Sequence, residues 1–352
     1  MSDRILIIAP AWVGDCVMAQ PLYRRLKAYR PNAHITVMAP EWTLPLLDRM
    51  PEVDATLLNP FGHGALKLGL RWQLGRSLKG RFDQVIVLPN SFKSALLPWF
   101  ANVPVRTGFV GESRYGLLND ARSLDKEALP QMVERFAILA EAPNHRLPRP
   151  LPAPHLSIDP ASRAKALADL GLSDSQPVAA FCPGAEYGPA KRWPSRHFAE
   201  LARRLTSQGY AVWLFGSAND LAETTRIADQ AGVPLTNLAG RTSLAQAIDL
   251  LSLASFVITN DSGLMHVAAA LERPLVALYG SSSPEFTPPL SDRAEIVTLD
   301  LDCSPCFERT CPLKHMDCLE KLSPDLVESA IARTLTKPPG TPGPYIPLQS
   351  VV

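Results

Sequence analysis

The segment 256–271, FVITNDSGLMHVAAAL, holds residue types well suited to bind an anion. Its apolar start predicts a buried strand, and a short turn containing a glycine leads from it into a helix. The first backbone N–H groups of a helix have no partner inside the helix, so such a turn binds phosphate well. Asp261 or Ser262 could instead only cap the helix, and His266 in its first turn could be a surface histidine.

Two loops of the same half add cations and an acid. Lys191 and Arg192 lie in the segment 183–194, PGAEYGPAKRWP, and Asp220 ends a second glycine-containing loop. Backbone donors and a lysine, without an acidic metal cluster, suit a diphosphate that is held without an obligatory metal ion. Asp220 could accept hydrogen bonds from ribose hydroxyls.

Asp15 is the acid with the clearest catalytic position in the first half. It ends a glycine turn that follows the predicted strand Ile5–Ala9. A carboxylate there could deprotonate a sugar hydroxyl, which then attacks an anomeric carbon, while Lys191 and the helix start stabilise the departing diphosphate. The alternative is that Asp15 only caps the following helix, predicted over Cys16–Tyr29.

A cysteine cluster lies near the C-terminus. Four of the six cysteines, Cys303, Cys306, Cys311 and Cys318, fall within one short segment that also contains His315. This ligand set could hold a structural zinc ion. The spacings are shorter than those of an ordinary zinc ribbon, so reduced thiols or an adventitious disulfide are the alternative. Cys16 and Cys182 are expected in the core.

These residues require elements that bring them together, and both halves alternate predicted strands and helices. The strands are predicted at Ile5–Ala9, His34–Met38, Ala55–Leu58, Gln84–Leu88, Val178–Cys182, Val212–Phe215, 256–260 and Leu275–Tyr279. This alternation predicts two doubly wound α/β domains with parallel sheets, which bind ligands at the carboxyl ends of their strands. No G-x-G-x-x-G occurs, which argues against a nicotinamide-binding domain.

Domain boundaries are predicted at 1–155, 156–322 and 323–352. The proline-rich segment Ala142–Pro160 is interpreted as a linker, and two facing domains are expected to leave a deep cleft. The last part, 323–352, is predicted as a helix, Pro324–Leu335, followed by a Pro/Gly tail from 337 that is disordered or draped on the surface.

Composition and charge restrict the class of protein. A chain of 352 residues is expected to form two domains. It has neither a long apolar run nor a signal-peptide pattern, so a cytoplasmic location is expected. Residues 1–150 carry 19 Lys and Arg and 13 Asp and Glu, which gives a net charge of +6. The rest of the chain carries the remaining 35 − 19 = 16 basic and 34 − 13 = 21 acidic residues, which gives a net charge of −5.

The positive charge is concentrated between Phe61 and Arg106. This segment contains seven basic residues and a single acidic residue, Asp83. This pattern indicates either a solvated helix face or a surface for an anionic partner or membrane leaflet. Nucleic acid is not expected as a partner, because the basic residues do not alternate with aromatic residues that could stack on bases.

Six motifs occur in order between about residue 4 and residue 290. They are APAWVGD (9–15), PNSFKSALL (89–97), LLND (117–120), CPGAEYGPAKRWP (182–194), TNDSGLMHVAAAL (259–271) and YGSSSPEFTPP (279–289). Together they resemble the ADP-heptose glycosyltransferases, the lipopolysaccharide heptosyltransferases of glycosyltransferase family 9. The cysteine cluster is a less certain part of this resemblance.

The resemblance implies a GT-B fold, with an N-terminal acceptor-binding domain and a C-terminal ADP-heptose-binding domain. It implies inverting transfer of L-glycero-D-manno-heptose from ADP-heptose to the first heptose of the lipopolysaccharide inner core. The resemblance further implies that no cofactor is required and that the acceptor, heptosyl-Kdo2-lipid A, lies at the cytoplasmic leaflet of the inner membrane. The alternatives are heptosyltransferase I or another member with a different acceptor, a nucleotide-sugar epimerase of the same fold, and a non-catalytic nucleotide-sugar binder.

The resemblance also assigns roles to residues. Asp15 becomes the general base, and Lys191 joins it as a catalytic residue. The donor-binding residues implied are Glu186, Tyr187, Lys191, Asp220, Thr242, Asp261, Ser262, Gly263 and His266. The acceptor-binding residues implied are Asn90, Ser91, Lys93 and Arg114.

Overall fold

Two parallel sheets organise the chain in its computed structural model, which describes residues 3–62, 64–337 and 345–348. The chain divides into two compact units, Met1–Leu156 and Ser157–Val352. Every strand pairing in both sheets is parallel. This arrangement confirms the α/β class that the alternation of strands and helices predicted.

The first unit has six strands in the order β3-β2-β1-β4-β5-β6. The strands are β1 Arg4–Ile8, β2 His34–Ala39, β3 Ala55–Leu58, β4 Gln84–Val87, β5 Val105–Phe109 and β6 Asp120–Arg122. The helices are α1 Val13–Tyr29, α2 Leu44–Leu47, α3 Leu68–Ser77, α4 Phe92–Phe100 and α5 Met132–Ala137.

The second unit has seven strands in the order β13-β12-β11-β10-β7-β8-β9. The strands are β7 Val178–Cys182, β8 Ala211–Leu214, β9 Thr236–Asn237, β10 Ala254–Asn260, β11 Leu275–Leu278, β12 Ala294–Leu299 and β13 Tyr345–Leu348. The helices are α6 Pro160–Leu170, α7 Ser195–Ser207, α8 Leu221–Ala231, α9 Leu244–Leu251, α10 Gly263–Ala270, α11 Asp317–Glu320 and α12 Pro324–Thr336.

The central strands carry apolar residues on both faces of the sheet, and burial of both faces stabilises them. All five residues of β7 are buried, and so are four of the five residues of β1. A strand covered by helices on both faces needs this continuous apolar pattern, whereas a half-exposed strand alternates. The burial of these strands explains why they could be located from the sequence.

Each sheet reverses its winding once, and that point decides where ligands bind. In the first unit the chain winds outward from β1 through β2 and β3, and then from β4 in the opposite direction. In the second unit the same reversal separates β7 from β10. Ligands of doubly wound sheets bind beyond the carboxyl ends of the two strands at this point. The loops after β1, β4, β7 and β10 are therefore the candidate sites.

Helices α3 and α4 pack unusually closely in the first unit. A Cβ atom at Gly75 would lie 2.6 Å from the Cβ of Phe100 and 2.9 Å from the carbonyl oxygen of Leu97. Only a glycine allows the two backbones to approach this far. This contact holds one side of α3 against α4, and most of the other residues of α3 face solvent.

The structure changes two predictions about connecting segments. Pro160, the last residue of the predicted linker, begins α6, because Asp159 caps that helix by accepting hydrogen bonds from the N–H groups of Ala161 and Ser162. In the predicted disordered tail, Tyr345–Leu348 instead pairs with β12 as an edge strand; residues 338–344 and 349–352 lie outside the described residues. Within the described part of the chain, no helix combines the length and apolar character needed to cross a bilayer.

Candidate functional site

An ion pair between Lys191 and Asp261 forms the centre of the candidate site in the second unit. Lys191 ends a short 3-10 helix, Pro189–Lys191, in the loop after β7, and Asp261 follows β10 directly. The lysine Nζ lies 2.5 Å from Asp261 Oδ2, and the two side chains are only 17% and 5% exposed. The two strands at the reversal of the sheet therefore bring together residues that are 70 positions apart in the sequence.

Helix α10 begins beside this pair. Its N-cap is Ser262, whose side chain makes no capping hydrogen bond, and Asp261 is bound to Lys191. The alternative that these two residues only cap the helix is therefore not what the structure shows. Gly263, the first helical residue, is partly exposed, and the open N–H groups of the first turn remain suitable for an anion.

His266 is a buried residue, so the prediction that it could be a surface histidine is wrong. Its side chain is nearly fully enclosed, and Nδ1 has no hydrogen-bond partner among the described residues. Burial lowers the pKa of His266 to about 4, a net value that includes an opposing effect of the Asp261 carboxylate and a smaller lowering by the Lys191 cation. The ring is therefore neutral near pH 7 and has one nitrogen free to bind a ligand.

Two serines that sequence reasoning did not select lie after the neighbouring strand. Ser281 and Ser282 follow β11, are buried, and have hydroxyl groups without a partner in the part of the chain described. Buried polar groups are nearly always hydrogen-bonded, so these two hydroxyl groups at the carboxyl ends of strands are candidates to bind a ligand. The signal was available, because both serines belong to the quoted motif 279–289.

Asn260 links the loop after β7 to the end of β10. Its Oδ1 accepts a hydrogen bond from the N–H of Trp193 at 3.1 Å, and its Nδ2 donates to the carbonyl of Pro183 at 2.6 Å. Both ends of the loop that carries Lys191 are thereby fixed to the strand that carries Asp261. Sequence reasoning did not select Asn260 for this positioning function.

The other predicted donor residues differ in exposure. Glu186 and Tyr187 are exposed and Thr242 is partly exposed, so all three can reach solvent or a ligand. The carboxylate of Asp220 is instead largely buried, and its Oδ2 accepts hydrogen bonds from the N–H and hydroxyl of Ser217, both at 2.8 Å. Gly184 lies so close to this carboxylate that a Cβ atom at position 184 would be 2.6 Å from it. Asp220 thus holds the two loops together, and its contact with ribose stays a prediction.

In the first unit, Asp15 is the third residue of α1, which begins at Val13 with Trp12 as its N-cap. The predicted helix start at Cys16 is therefore wrong, and so is the alternative that Asp15 only caps the helix. Asp15 is partly exposed beyond the carboxyl end of β1. Trp42 supports the same loop by donating a hydrogen bond from Nε1 to the carbonyl of Ala11 at 2.9 Å. A carboxylate in this position can accept a proton from a ligand.

The loop after β4 lies next to the loop after β1, because β1 and β4 are neighbours in the sheet. Asn90 is exposed, and Ser91 and Lys93 are partly exposed. Arg114 differs from the other predicted acceptor residues, since its side chain is completely buried. Its guanidinium donates to the carbonyl of Pro89 at 2.6 Å and to Asn90 Oδ1 at 3.3 Å. The structure therefore makes Arg114 a support of this loop and not part of its surface.

Burial also affects the charge of Arg114. Desolvation lowers the pKa of Arg114 to about 10, and the nearby carboxylate of Glu112 partly opposes this shift. The guanidinium nevertheless keeps its charge at neutral pH. A buried cation bound to carbonyl and amide oxygens fixes the loop more firmly than a neutral side chain would.

The four clustered cysteines, Cys303, Cys306, Cys311 and Cys318, line one cavity of about 20 Å³, together with Ala190 and His315. Burial and the closeness of the other three thiols raise the pKa of Cys318 to about 11. All four are free and partly buried, whereas Cys16 and Cys182 are fully buried in the core as predicted. Within residues 3–62, 64–337 and 345–348, no group of three or more His, Cys, Asp or Glu side chains is already spaced to bind a metal ion.

The chain is similar to known glycosyltransferases. A family model described as "Glycosyltransferase family 9 (heptosyltransferase)" matches residues 71–317. Lipopolysaccharide heptosyltransferase 2 of Salmonella typhimurium is 54% identical over 306 residues, covering 84% of this chain and 88% of that protein. The protein of the same name from Escherichia coli K12 is 53% identical over 308 residues, with the same two coverages.

A solved structure agrees with these relatives. The structure of E. coli ADP-heptose LPS heptosyltransferase II superposes with a TM-score of 0.85 at 47% identity, covering 94% of this chain and 98% of that one. The match confirms the GT-B fold with two Rossmann-like domains that the resemblance implied. Because the family model spans more than half of the chain and relatives above 50% identity span most of it, the chain belongs to glycosyltransferase family 9, the heptosyltransferases.

Proposed function

We propose that this chain transfers L-glycero-D-manno-heptose from ADP-heptose to the first heptose of the lipopolysaccharide inner core, with inversion at the anomeric carbon. The single observation that carries the proposal is the Lys191–Asp261 pair at the start of α10, where a nucleoside diphosphate would be bound. The names of the relatives, heptosyltransferases that act in lipopolysaccharide synthesis, support the same sugar and pathway.

The donor site supplies positive charge from the chain itself. In the proposal, Lys191 and the open N–H groups of α10 bind the diphosphate and stabilise the negative charge that grows as ADP leaves. The neutral ring of His266 and the unpaired hydroxyls of Ser281 and Ser282 provide further polar contacts. The diphosphate therefore has cationic and hydrogen-bonding partners without a metal ion at this position.

Asp15 acts as the general base in this mechanism. Its carboxylate takes the proton from an acceptor hydroxyl, whose oxygen forms the new bond to the anomeric carbon. The bond from that carbon to the diphosphate oxygen breaks, and ADP departs with the electron pair. The oxygen attacks from the face opposite the leaving group, so the configuration inverts.

The acceptor is proposed to bind at the loop after β4. Asn90 and Lys93 offer an amide and a cation, which suit the hydroxyl and phosphate groups of a lipopolysaccharide core. Arg114 contributes indirectly, because it holds Asn90 and the carbonyl of Pro89 in place.

A surface of the first unit supports attachment to the membrane that carries this acceptor. The α3 patch consists of Leu66, Leu68, Leu70 and Trp72, which are 51%, 51%, 39% and 52% exposed, and the basic residues Lys67, Arg76, Lys79 and Arg81. Among the described residues, none of these four cations forms an ion pair with an acid. Exposed leucine and tryptophan beside unpaired cations suit an anionic bilayer surface, here the cytoplasmic leaflet of the inner membrane.

A transfer assay tests the proposal. Purified enzyme is incubated with ADP-heptose and core lipid that carries one heptose, and the product is analysed by mass spectrometry. We expect the mass of one additional heptose and release of ADP. Transfer to a lipid that carries no heptose would favour heptosyltransferase I, and altered ADP-heptose in a reaction without acceptor would favour an epimerase.

A further inference from the structure

The cysteine cluster has no part in the proposed transfer, yet its thiols converge. Cys303 and Cys318 are fifteen positions apart in the sequence, and all four sulfur-bearing side chains line the same cavity. A volume of about 20 Å³ accommodates one water molecule or one ion. A lining dominated by thiols favours soft metal ions of the zinc class over magnesium or calcium.

The histidine of the cavity is less suitable as a ligand than the thiols. His315 Nδ1 accepts a hydrogen bond from the N–H of Asp317 at 2.9 Å, so the ring proton of the neutral form resides on Nε2. A protonated nitrogen cannot bind a metal ion. Cys311, by contrast, lines the cavity directly, and its sulfur accepts hydrogen bonds from backbone N–H groups between Leu313 and Met316.

The segment between Cys306 and Cys311 supports the loop that carries Lys191. The hydroxyl of Tyr187 donates to the carbonyl of Phe307 at 2.6 Å, and the N–H of Ala190 donates to the carbonyl of Arg309 at 3.1 Å. Gly188 lies so close to the carbonyl of Arg309 that a Cβ atom at position 188 would be 2.4 Å from its oxygen. Residues 307–309 therefore hold Gly188 and Ala190 in place. These two residues flank Pro189, and Ala190 directly precedes Lys191.

The same segment also contacts the loop after β11. The N–H of Phe307 donates to the carbonyl of Ser281 at 2.6 Å, and the hydroxyl of Ser304 donates to the carbonyl of Gly280 at 2.7 Å. The cysteine segment thus joins two of the loops that form the donor site. Any change in the positions of its thiols would be transmitted to both.

We propose that Cys303, Cys306, Cys311 and Cys318 bind one structural zinc-class ion, and that this ion fixes residues 307–309 beneath the donor loop. Each thiol that binds releases one proton to solvent, and the oxidation state of the metal does not change. Because no three of these side chains are at ligand spacing among the described residues, metal binding must bring the thiols closer together. The effect on the donor loop rests on the proposed role of Lys191, whereas the metal site itself does not.

Metal content is the first test. The full-length protein, purified without a histidine tag, is loaded with Zn²⁺ or Co²⁺ under reducing, oxygen-free conditions, desalted and analysed by mass spectrometry of its metals. We expect about one equivalent per chain and, for Co²⁺, the visible absorption of a tetrahedral thiolate site. Cys303→Ser and Cys311→Ser should lose the metal, and Cys182→Ala should keep it.

Cys311→His separates metal binding from packing, since histidine is a zinc ligand and serine is a poor one. The histidine variant should retain metal with lower affinity. The site is refuted if the wild-type protein holds no stoichiometric metal, if the serine variants retain it, or if thiol labelling of the reduced, metal-treated protein shows four reactive cysteines or a disulfide.

ADP affinity is the second test. Calorimetry with the metal-loaded and the metal-free protein should give a dissociation constant about fivefold or more weaker without metal. Equal affinities would refute the effect on the donor loop while leaving the metal site intact. Stoichiometric metal in an enzyme that transfers no heptose would contradict the proposed function and not the metal site.

Discussion

Lys191 and Asp261 illustrate how a single contact shapes the donor site. The lysine is held beside the helix start by a carboxylate that would itself repel a diphosphate. In the absence of ligand the pair neutralises two largely buried charges. In the proposed function, a bound diphosphate adds negative charge, which Lys191 and the N–H groups of α10 would share.

Lys191→Met should weaken ADP binding roughly 10- to 100-fold, because a hydrogen bond to a charged group is worth about 1.5–3 kcal/mol. The variant also leaves the Asp261 carboxylate unpaired near the ligand. Lys191→Met/Asp261→Asn should therefore bind ADP more tightly than Lys191→Met alone, as measured by calorimetry.

A matched control is the exposed pair Lys165–Asp169 on α6, where the same substitutions should leave ADP affinity unchanged. If Lys191→Met binds ADP as the wild-type protein does, the diphosphate does not contact this lysine.

Asp15→Asn should reduce kcat at least ~10²-fold, since general-base catalysis contributes about 10²–10⁴. The affinity for ADP should change little, because Asp15 belongs to the other unit. Steady-state kinetics and calorimetry measure the two quantities separately. Asp48→Asn, the same change at an exposed acid of the first unit, serves as the control. A wild-type kcat in Asp15→Asn would exclude this carboxylate as the base.

His266 should make the protein less stable in acid. Its pKa is about 4 in the folded protein and 6.5 when unperturbed, so between these values the unfolded state binds the additional proton. The free energy of unfolding should therefore be unaffected above pH 6.5 and fall by about 1.4 kcal/mol per pH unit from there toward pH 4.

The denaturation midpoint of His266→Gln should depend less on pH in this window than that of the wild-type protein. His34→Gln, at the exposed start of β2, should behave like the wild type. If His266→Gln and the wild-type protein lose stability in parallel on acidification, His266 is already charged in the folded state.

At the scale of elements, the contact of α3 with α4 positions the α3 patch. Gly75→Ala should destabilise the first unit by about 1–3 kcal/mol, because the new methyl group overlaps the backbone of α4. Gly69→Ala in the same helix meets nothing within 4 Å and should stabilise it by roughly 0.5–1 kcal/mol. Chemical denaturation of both variants measures the difference, and a neutral Gly75→Ala would mean that the helices are farther apart.

The surrounding elements also explain why Asp15 and Asp220 differ in environment. Both acids follow a strand and a glycine-containing turn, with Asp15 directly after Gly14 and Asp220 four residues after Gly216. Asp15 falls inside the first turn of α1 with its side chain partly exposed, whereas Asp220 turns inward to bind Ser217. Which way an acid points depends on the loop packed above it, here the one containing Gly184.

At the scale of the whole molecule, the charge of the chain is divided between its two halves. The excess of +6 in residues 1–150 agrees with the proposed binding of an anionic, lipid-anchored acceptor by the first unit. Long-range attraction of this kind increases the rate of encounter with an anionic surface and weakens as salt is added.

The protein should bind vesicles of mixed phosphatidylglycerol and phosphatidylcholine better than pure phosphatidylcholine vesicles, and high salt should reduce the difference. Leu70→Ser/Trp72→Ser should bind severalfold more weakly in a vesicle sedimentation assay, because both apolar side chains are exposed on the α3 patch. Leu221→Ser, at an equally exposed leucine of α8, should bind as the wild-type protein does. Equal binding of all three proteins would exclude the α3 patch as the membrane contact.

The sequence alone determined the fold class, the central strands and the family. Apolar runs such as Val178–Cys182 and motifs such as 259–271 are local patterns, and each is complete within a few consecutive residues. Strands β5 and β6 escaped prediction, because β5 contains Arg106, Thr107 and Gly108 and β6 has only three residues, two of them charged, so both resemble loop sequence.

Only the tertiary structure decided which of these residues meet. The pairing of Lys191 with Asp261, the burial of His266 and Arg114, and the convergence of four cysteines on one cavity all depend on the order of strands in the sheet and on the loops packed above it. That order joins residues far apart in the chain, and no local pattern of hydrophobic or polar residues encodes it. The sequence therefore identified the residues capable of chemistry, and packing decided which of them remain accessible and which are buried as supports for the others.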